Sequence, residues 1–161
     1  MVTAKIYVPV DQPVQQEPVV ISAIMLSDHV LREAGSNKLS LIGCFATWNA
    51  PAFPFPCPPF FITPFLSNFR TVSGTIEVTV RIETPAKHVV WSAMAKIDFR
   101  ASPETTPPDA LIDIPFQAVG VSFPQAGRYT IRVFVDSDEI AYRDFTVRPV
   151  TTTGVSGPEK K

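Results

Sequence analysis

The sequence predicts an all-β fold, and three observations lead to that prediction. Proline accounts for 17 of the 161 residues, about twice the usual share, and proline is excluded from helix interiors. Several short segments alternate apolar and polar residues with a period of two, which is typical of half-buried strands. Turn-forming residues separate these segments, and no long segment has the periodicity of an amphipathic helix. A chain of this length can build a core without a metal or a disulfide.

The clearest strand prediction is Thr75–Glu83, where four aliphatic side chains alternate with polar ones. After the turn at 84–87 the same alternation resumes over 89–100, so the two segments are predicted to form an antiparallel hairpin.

A second predicted hairpin closes the domain. A strand over 129–135 follows Gly127, the turn at 136–138 reverses the chain, and a last strand runs over 140–148. In that last strand the inward pattern shifts between Tyr142 and Phe145, which indicates either a β-bulge or a face that another subunit covers.

The first half of the domain is less regular. Segments 19–26 and 39–45 are nearly continuous apolar runs. They are predicted to be interior strands, either covered on both faces or carrying an exposed apolar face. Between them, residues 27–35 are predicted to form one helical turn, with Ser27 or Asp28 as N-cap and Gly35 at its end.

The remaining segments are rich in proline. Residues 50–66 predict an extended loop that enters a strand from Phe60 onward. A second loop is predicted at 102–109, and a further strand over 114–123.

Some eight short strands favour an antiparallel β-sandwich with immunoglobulin-like or C2-like topology, with a closed barrel as the alternative. The predicted organisation is an N-terminal arm at 1–18, a single sandwich domain at 19–148 and a flexible C-terminal tail at 149–161.

A group of short motifs suggests a family. They are the strand 20–23 leading to Ser27-Asp28, the segment 38–45, the pair Phe53-Pro54, and Gly127-Arg128-Tyr129 before the last hairpin. In these motifs the chain resembles a family of small bacterial proteins of unknown function. The resemblance implies a bacterial cytosolic β-sandwich, and it supplies no substrate, catalytic residue or partner.

Composition excludes several function classes. The 14 basic and 15 acidic residues lack the positive excess of a nucleic-acid-binding protein. The longest apolar run is too short to span a bilayer, and no signal peptide is evident, so the predicted compartment is the cytoplasm without membrane insertion. In that compartment Cys44 and Cys57 are expected to be reduced thiols rather than a disulfide.

No catalytic motif, cofactor or metal site is predicted. Phosphate-binding glycine loops and zinc-ligand spacings are missing from the sequence. A cysteine could pair with His29 or His88 as a catalytic dyad, but structural thiols and surface histidines are the preferred interpretation.

Two acidic groups are candidates for metal sites. Asp28, His29 and Glu33 lie within one predicted turn, where helix capping by Asp28 is the preferred role. Asp136, Asp138 and Glu139 cluster at a hairpin tip, where a C2-like sandwich could bind calcium, but an ordinary Asp-rich turn is preferred.

The favoured function is a non-catalytic structural or protein-interaction module that self-associates or binds a protein partner, through a free strand edge or an aromatic segment. The alternatives are a ligand-binding sandwich, for carbohydrate or for calcium and lipid, and a hydrolase that uses Cys57 and His29; no small-molecule ligand is identified. Aromatic and proline residues of 50–66 can instead close one end of the core. The candidate contact residues are Trp48, Phe53, Phe55, Pro56, Pro58, Phe60, Phe61 and Phe134.

Overall fold

The computed structural model describes residues 19–68, 74–99 and 111–150, and these residues form strands and loops without a helix. Within these ranges, therefore, no helix is long and apolar enough to cross a membrane. The predicted arm at 1–18, the loop at 102–109 and the tail after residue 150 lie outside the described residues. The strands are β1 Val20–Arg32, β2 Leu39–Cys44, β3 Thr47–Ala50, β4 Phe55–Pro56, β5 Phe60–Ser67, β6 Thr75–Glu83, β7 Val89–Asp98, β8 Ile112–Asp113, β9 Phe116–Ala118, β10 Ser122–Phe123, β11 Gly127–Val135 and β12 Asp138–Pro149.

Two sheets pack face to face. Sheet A has the order β2-β1-β5-β8, with β9 also pairing with β5, and sheet B has the order β3-β12-β11-β6-β7. A short pair, β4 with β10, lies beside them. Neighbouring strands are antiparallel except for β3, which runs parallel to β12. The all-β antiparallel sandwich that the sequence predicts is confirmed.

The inward faces of both sheets form one apolar core. From sheet B the alternating residues of β6 and β11 point inward, and Val78, Val80 and Ile131 are fully buried. From sheet A, Leu26 and Ile62 meet them. The period-two alternation that predicted these strands is therefore the alternation between core and solvent.

Tyr129 fixes the start of β11. Its ring is fully buried, and its hydroxyl donates a hydrogen bond of 2.7 Å to the carbonyl of Gln125, four residues earlier. Burial raises the pKa of Tyr129, although the bond to Gln125 lowers it in part. A buried tyrosine bonded to the backbone just upstream is the tyrosine corner of immunoglobulin-like sandwiches.

Both predicted hairpins are present, β6 with β7 and β11 with β12. The bulge, however, lies at Ile140, where the register shifts, and the prediction of an irregularity between Tyr142 and Phe145 is wrong. The inward alternation continues through Arg143, which lies opposite the core residue Ile131. A charged side chain at an inward position made the pattern look shifted.

The predicted helical turn at 27–35 is wrong, because β1 continues as a strand to Arg32. His29 pairs with Ile42, and Arg32 pairs with Leu39. Since β2 supplies partners for the backbone of this segment, the local capping signals of Ser27 and Asp28 do not decide its structure.

The predicted interior position is correct for β1 but wrong for β2. Strand β1 lies between β2 and β5, whereas β2 is at the edge of sheet A among the described strands. The apolar run at 39–45 is therefore an edge strand with an exposed face, which was one of the two alternatives left open.

In place of the single strand predicted over 114–123 the chain forms two short strands, β9 and β10, and β8 lies just before them. Prolines cause the break between β8 and β9. The Ile114 N–H donates to the Pro64 carbonyl at 3.2 Å, but Pro64 has no N–H to return the bond, and Pro115 follows. By contrast, β5 begins at Phe60 as predicted.

Candidate functional site

The hairpin of β1 and β2 exposes two large apolar side chains of sheet A. Leu31 is 56% exposed and Ile42 is 46% exposed. They share one face of the hairpin, because Leu31 pairs with Ser40, and Ile42 pairs with His29. The other face carries Val30 and its partner Leu41, which are partly buried. We call the exposed face and the free edge of β2 the hairpin surface.

Glycine at position 43 allows the hairpin to form. Gly43 has a φ of +69°, in the left-handed region that favours glycine. The Asp28 side chain from β1 lies against it, and an added Cβ would be 2.9 Å from Cγ of Asp28. Position 43 therefore excludes larger residues both by backbone conformation and by space.

The hairpin does not continue straight from the sheet. Near its tip, Arg32 forms an ion pair with Asp113 of β8. Asp113 pairs with Phe65, which pairs with Ala23, nine residues before Arg32. A straight strand of nine residues spans about 30 Å, more than an arginine side chain reaches. The hairpin must therefore turn back across sheet A.

Two hydroxyl residues of sheet A are buried on its outer face. Ser27 and Thr63 are each next to a core residue, so alternation places them on the face opposite the core, yet both are fully buried. Their hydroxyl groups have no hydrogen-bond partner.

Other sheet edges carry features that discourage pairing. Edge strand β7 contains Lys96, which lies 3.9 Å from Glu77. The β8–β9 edge is interrupted at Pro115, and β3 is only four residues long. Strand β2 has the sequence LSLIGC, with no charge and no proline. Charges, prolines and short length are the usual protection against edge pairing, so β2 is the least protected of these edges.

The structure places most of the predicted contact residues around the core. Phe60 is fully buried, while Trp48, Phe53 and Phe55 are partly buried and pack against the core. The Trp48 ring lies 5.8 Å from Phe60 and 6.1 Å from Phe55. Trp48, Phe55 and Phe60 belong to one aromatic cluster.

The other predicted contact residues lie apart from one another. Pro56 and Pro58 are exposed, whereas Phe61 is partly buried on the outer face of sheet A. Phe134 is partly buried on the outer face of sheet B, where the Arg81 guanidinium lies 4.7 Å from its ring centroid. The structure therefore does not bring the eight residues together into one surface.

The two cysteines, which are the candidate nucleophiles, differ in exposure. Cys44 is exposed, Cys57 is buried, and both are free. Burial raises the pKa of Cys57 to about 12, and the nearby Asp28 carboxylate adds to the rise. The Cys57 thiol is therefore protonated at neutral pH, whereas a nucleophilic cysteine needs a lowered pKa.

We expect thiol labelling of the native protein at pH 8 to modify Cys44 and spare Cys57, since Cys57 is buried and its raised pKa keeps the thiol protonated at that pH. Mass spectrometry of peptides after treatment with iodoacetamide, with and without urea, measures this. A Cys44→Ser variant is the control, because its native form should take up almost no label. Labelling of native Cys57 at the rate of Cys44 would contradict the assigned burial.

The acidic tip of the second hairpin is already bonded within the protein. Asp136 Oδ1 accepts a hydrogen bond of 2.9 Å from the Glu77 N–H, and Glu139 Oε1 lies 2.6 Å from Arg132. Among the described residues, no group of three or more histidine, cysteine, aspartate or glutamate side chains could hold a metal ion.

Sequence reasoning missed the hairpin surface, although it considered a free strand edge in general terms. The uncharged run at 39–44 was visible, but a continuous apolar run is read as an interior strand. Only the strand order places β2 at an edge.

The fold and its tyrosine corner define the chain as an antiparallel β-sandwich protein. More particularly, it belongs to a family of unknown function (DUF6941), whose model matches residues 22–148. The predicted resemblance to a family of unknown function is thereby confirmed. No curated protein sequence matches the chain significantly.

Two solved structures are similar at low identity. An alkylpurine DNA glycosylase from Pseudomonas fluorescens, bound to DNA with an abasic-site analogue, matches 81% of this chain at 14% identity and a TM-score of 0.45. The match covers only 30% of the glycosylase chain. An immunoglobulin-like protein from Pseudomonas aeruginosa matches 83% of this chain and 99% of its own, at 15% identity and a TM-score of 0.39. Neither similarity bears on activity.

Proposed function

We propose that this protein is a non-catalytic interaction module that self-associates or binds a protein partner through the hairpin surface. The observation that carries the proposal is the edge strand β2, uncharged and free on one side, beside the exposed side chains of Leu31 and Ile42. An unprotected edge supplies main-chain hydrogen bonds to an added strand, and the neighbouring apolar side chains supply buried area.

The chemistry of the candidate catalytic residue supports a non-catalytic role. The raised pKa of Cys57 counts against the hydrolase alternative, because a nucleophilic cysteine needs a lowered pKa. The free state of both cysteines is compatible with a reducing compartment such as the cytoplasm.

The hairpin surface is a better contact site than the proline-rich aromatic segment. Phe60 is buried, and the Phe55 ring stacks 6.5 Å from that of Phe123. Exposing these rings to a partner would disrupt the core, whereas Ile42 is already accessible.

Substitution of Ile42 by lysine tests the proposal. We expect Ile42→Lys to weaken self-association at least tenfold, because the lysine places a charge in the uncharged contact and protects the edge. Light scattering coupled to size-exclusion chromatography, over a concentration series, measures the change. Ile42 is exposed, so thermal unfolding of the variant should match the wild type.

The matched control is Val119→Lys, which adds the same charge at another exposed position, 57% exposed, outside the hairpin. If the wild type is monomeric, the same variants are compared in pull-downs from a source lysate. The proposal fails if the wild type is monomeric and Ile42→Lys retains every protein that Val119→Lys retains.

A further inference from the structure

Arg143 occupies an unusual position for a charged side chain. It points from β12 toward the inside of the sandwich, opposite Ile131, and is partly buried. Its Nη1 donates to the carbonyl of Ile24 in β1 and lies 3.6 Å from the Met25 sulfur. Arg143 thereby links β12 of sheet B to β1 of sheet A.

No carboxylate of the described residues pairs with Arg143. Other arginines of sheet B do have acidic partners: Arg128 lies 2.7 Å from Asp144, and Arg132 lies 2.8 Å from Glu83. A guanidinium that is partly removed from water without a counter-charge is costly. The Nε and Nη2 groups of Arg143 still have N–H donors to offer.

The strand edge beside Arg143 is free. Among the described strands, β3 covers β12 only over Thr146–Pro149. The Thr146 N–H donates to Ala46, away from β11. In a β-ladder every second residue directs its N–H and C=O groups to the same side. The main-chain groups of Asp144 and Tyr142 therefore point away from β11, as the N–H of Thr146 does.

The facing edge of β1 also has no neighbour among the described strands at this point. Strand β2 pairs with β1 only from Ser27 onward, and the carbonyl of Ile24 is directed to Arg143 rather than to a neighbouring strand. Two strand edges without a neighbour among the described strands thus meet at a guanidinium without a carboxylate partner.

We propose that an extended acidic peptide segment of a partner protein docks on this edge. Its main chain pairs with Tyr142 and Asp144 as an added strand of sheet B, and an inward glutamate or aspartate side chain binds Arg143. Carboxylate and guanidinium match in geometry and form strong, charge-assisted hydrogen bonds. The site is separate from the hairpin surface, so this proposal can be tested independently of the proposed function.

The test uses two synthetic peptides, acetyl-TVEVT-amide and acetyl-TVQVT-amide, which differ only in the central carboxylate. Each is titrated into the ¹⁵N-labelled full-length protein and followed by NMR. We expect the glutamate peptide to bind at least tenfold more tightly. It should shift the amides of Tyr142 and Asp144 and the Nε–H signal of Arg143. Equal affinities, or shifts confined to other strands, would overturn the proposal.

Two variants distinguish binding of the glutamate side chain at Arg143 from general attraction between opposite charges. Arg143→Met should abolish the preference for the glutamate peptide. Arg148→Met removes the same charge from the same strand, where Arg148 Nε bonds Asn49 at 2.9 Å, and should leave the preference unchanged. Equal loss in both variants would overturn the proposal. The comparison of the two peptides on the wild type remains decisive if Arg143→Met is unfolded.

Discussion

Replacement of Phe123 by alanine is expected to lower the free energy of unfolding by about 3–5 kcal/mol, the usual range for deleting a buried phenylalanine ring. Phe123 is fully buried. Its ring centroid lies 4.8 Å from Tyr129 and 5.8 Å from Phe145, both in edge-on contacts, and 6.5 Å from Phe55. The substitution therefore leaves a cavity that surrounding aromatic rings, held from several strands, cannot fill by small movements.

Urea denaturation followed by tryptophan fluorescence measures this loss. The matched control is Val119→Ala, a truncation four residues away at an exposed position, which should change stability by less than about 0.5 kcal/mol. A loss below about 1 kcal/mol for Phe123→Ala would mean that the rings around Phe123 are not the packed aromatic cluster described above.

The sheet B hairpins could be predicted because their strands have one buried and one solvated face. In β6 the residues Ile76 and Val78 are buried, while Thr75 and Arg81 are exposed. For such a strand the local alternation of apolar and polar residues is enough to predict the structure. The bulge at Ile140 was misplaced because Arg143 fills an inward position, and the register shift between Ile82 and Glu83 in the other hairpin was not predicted.

Sheet A was harder to predict, because its local signals compete with partners that are distant in sequence. Ser27 and Asp28 favour a helix cap locally, but pairing with β2 keeps them in a strand. Likewise, the break between β8 and β9 depends on Pro64, about fifty residues earlier in the chain. The first effect cannot be read from its own segment, and the second can be read only in part, since Pro115 is local but Pro64 is not.

The candidate site could be predicted only in outline. A free strand edge follows from the fold class, but which edge is free depends on strand order. The aromatic residues of 50–66 drew attention because rigid aromatic side chains are typical of interfaces. In the folded chain several of them complete the core instead.

Substitution of Gly43 by alanine is expected to lower the free energy of unfolding by about 2–4 kcal/mol, from two separate causes. The first is the left-handed backbone conformation, with φ +69°, which costs a non-glycine residue about 1–2 kcal/mol. The second is overlap of the new Cβ with the carboxyl group of Asp28, and overpacking of this kind costs about 1–3 kcal/mol.

The two causes can be measured apart. Gly120→Ala is the control for the backbone term, since Gly120 has φ +71° and no atom within 4 Å of an added Cβ. It should cost only about 1–2 kcal/mol. An Asp28→Ala background removes the two closest atoms and leaves only the Cβ of residue 28, 3.1 Å from the added Cβ. The cost of Gly43→Ala should therefore fall toward that of Gly120→Ala. If Gly43→Ala costs no more than Gly120→Ala in the wild-type background, Asp28 does not pack against Gly43. The hairpin surface would then lack the contact that shapes it.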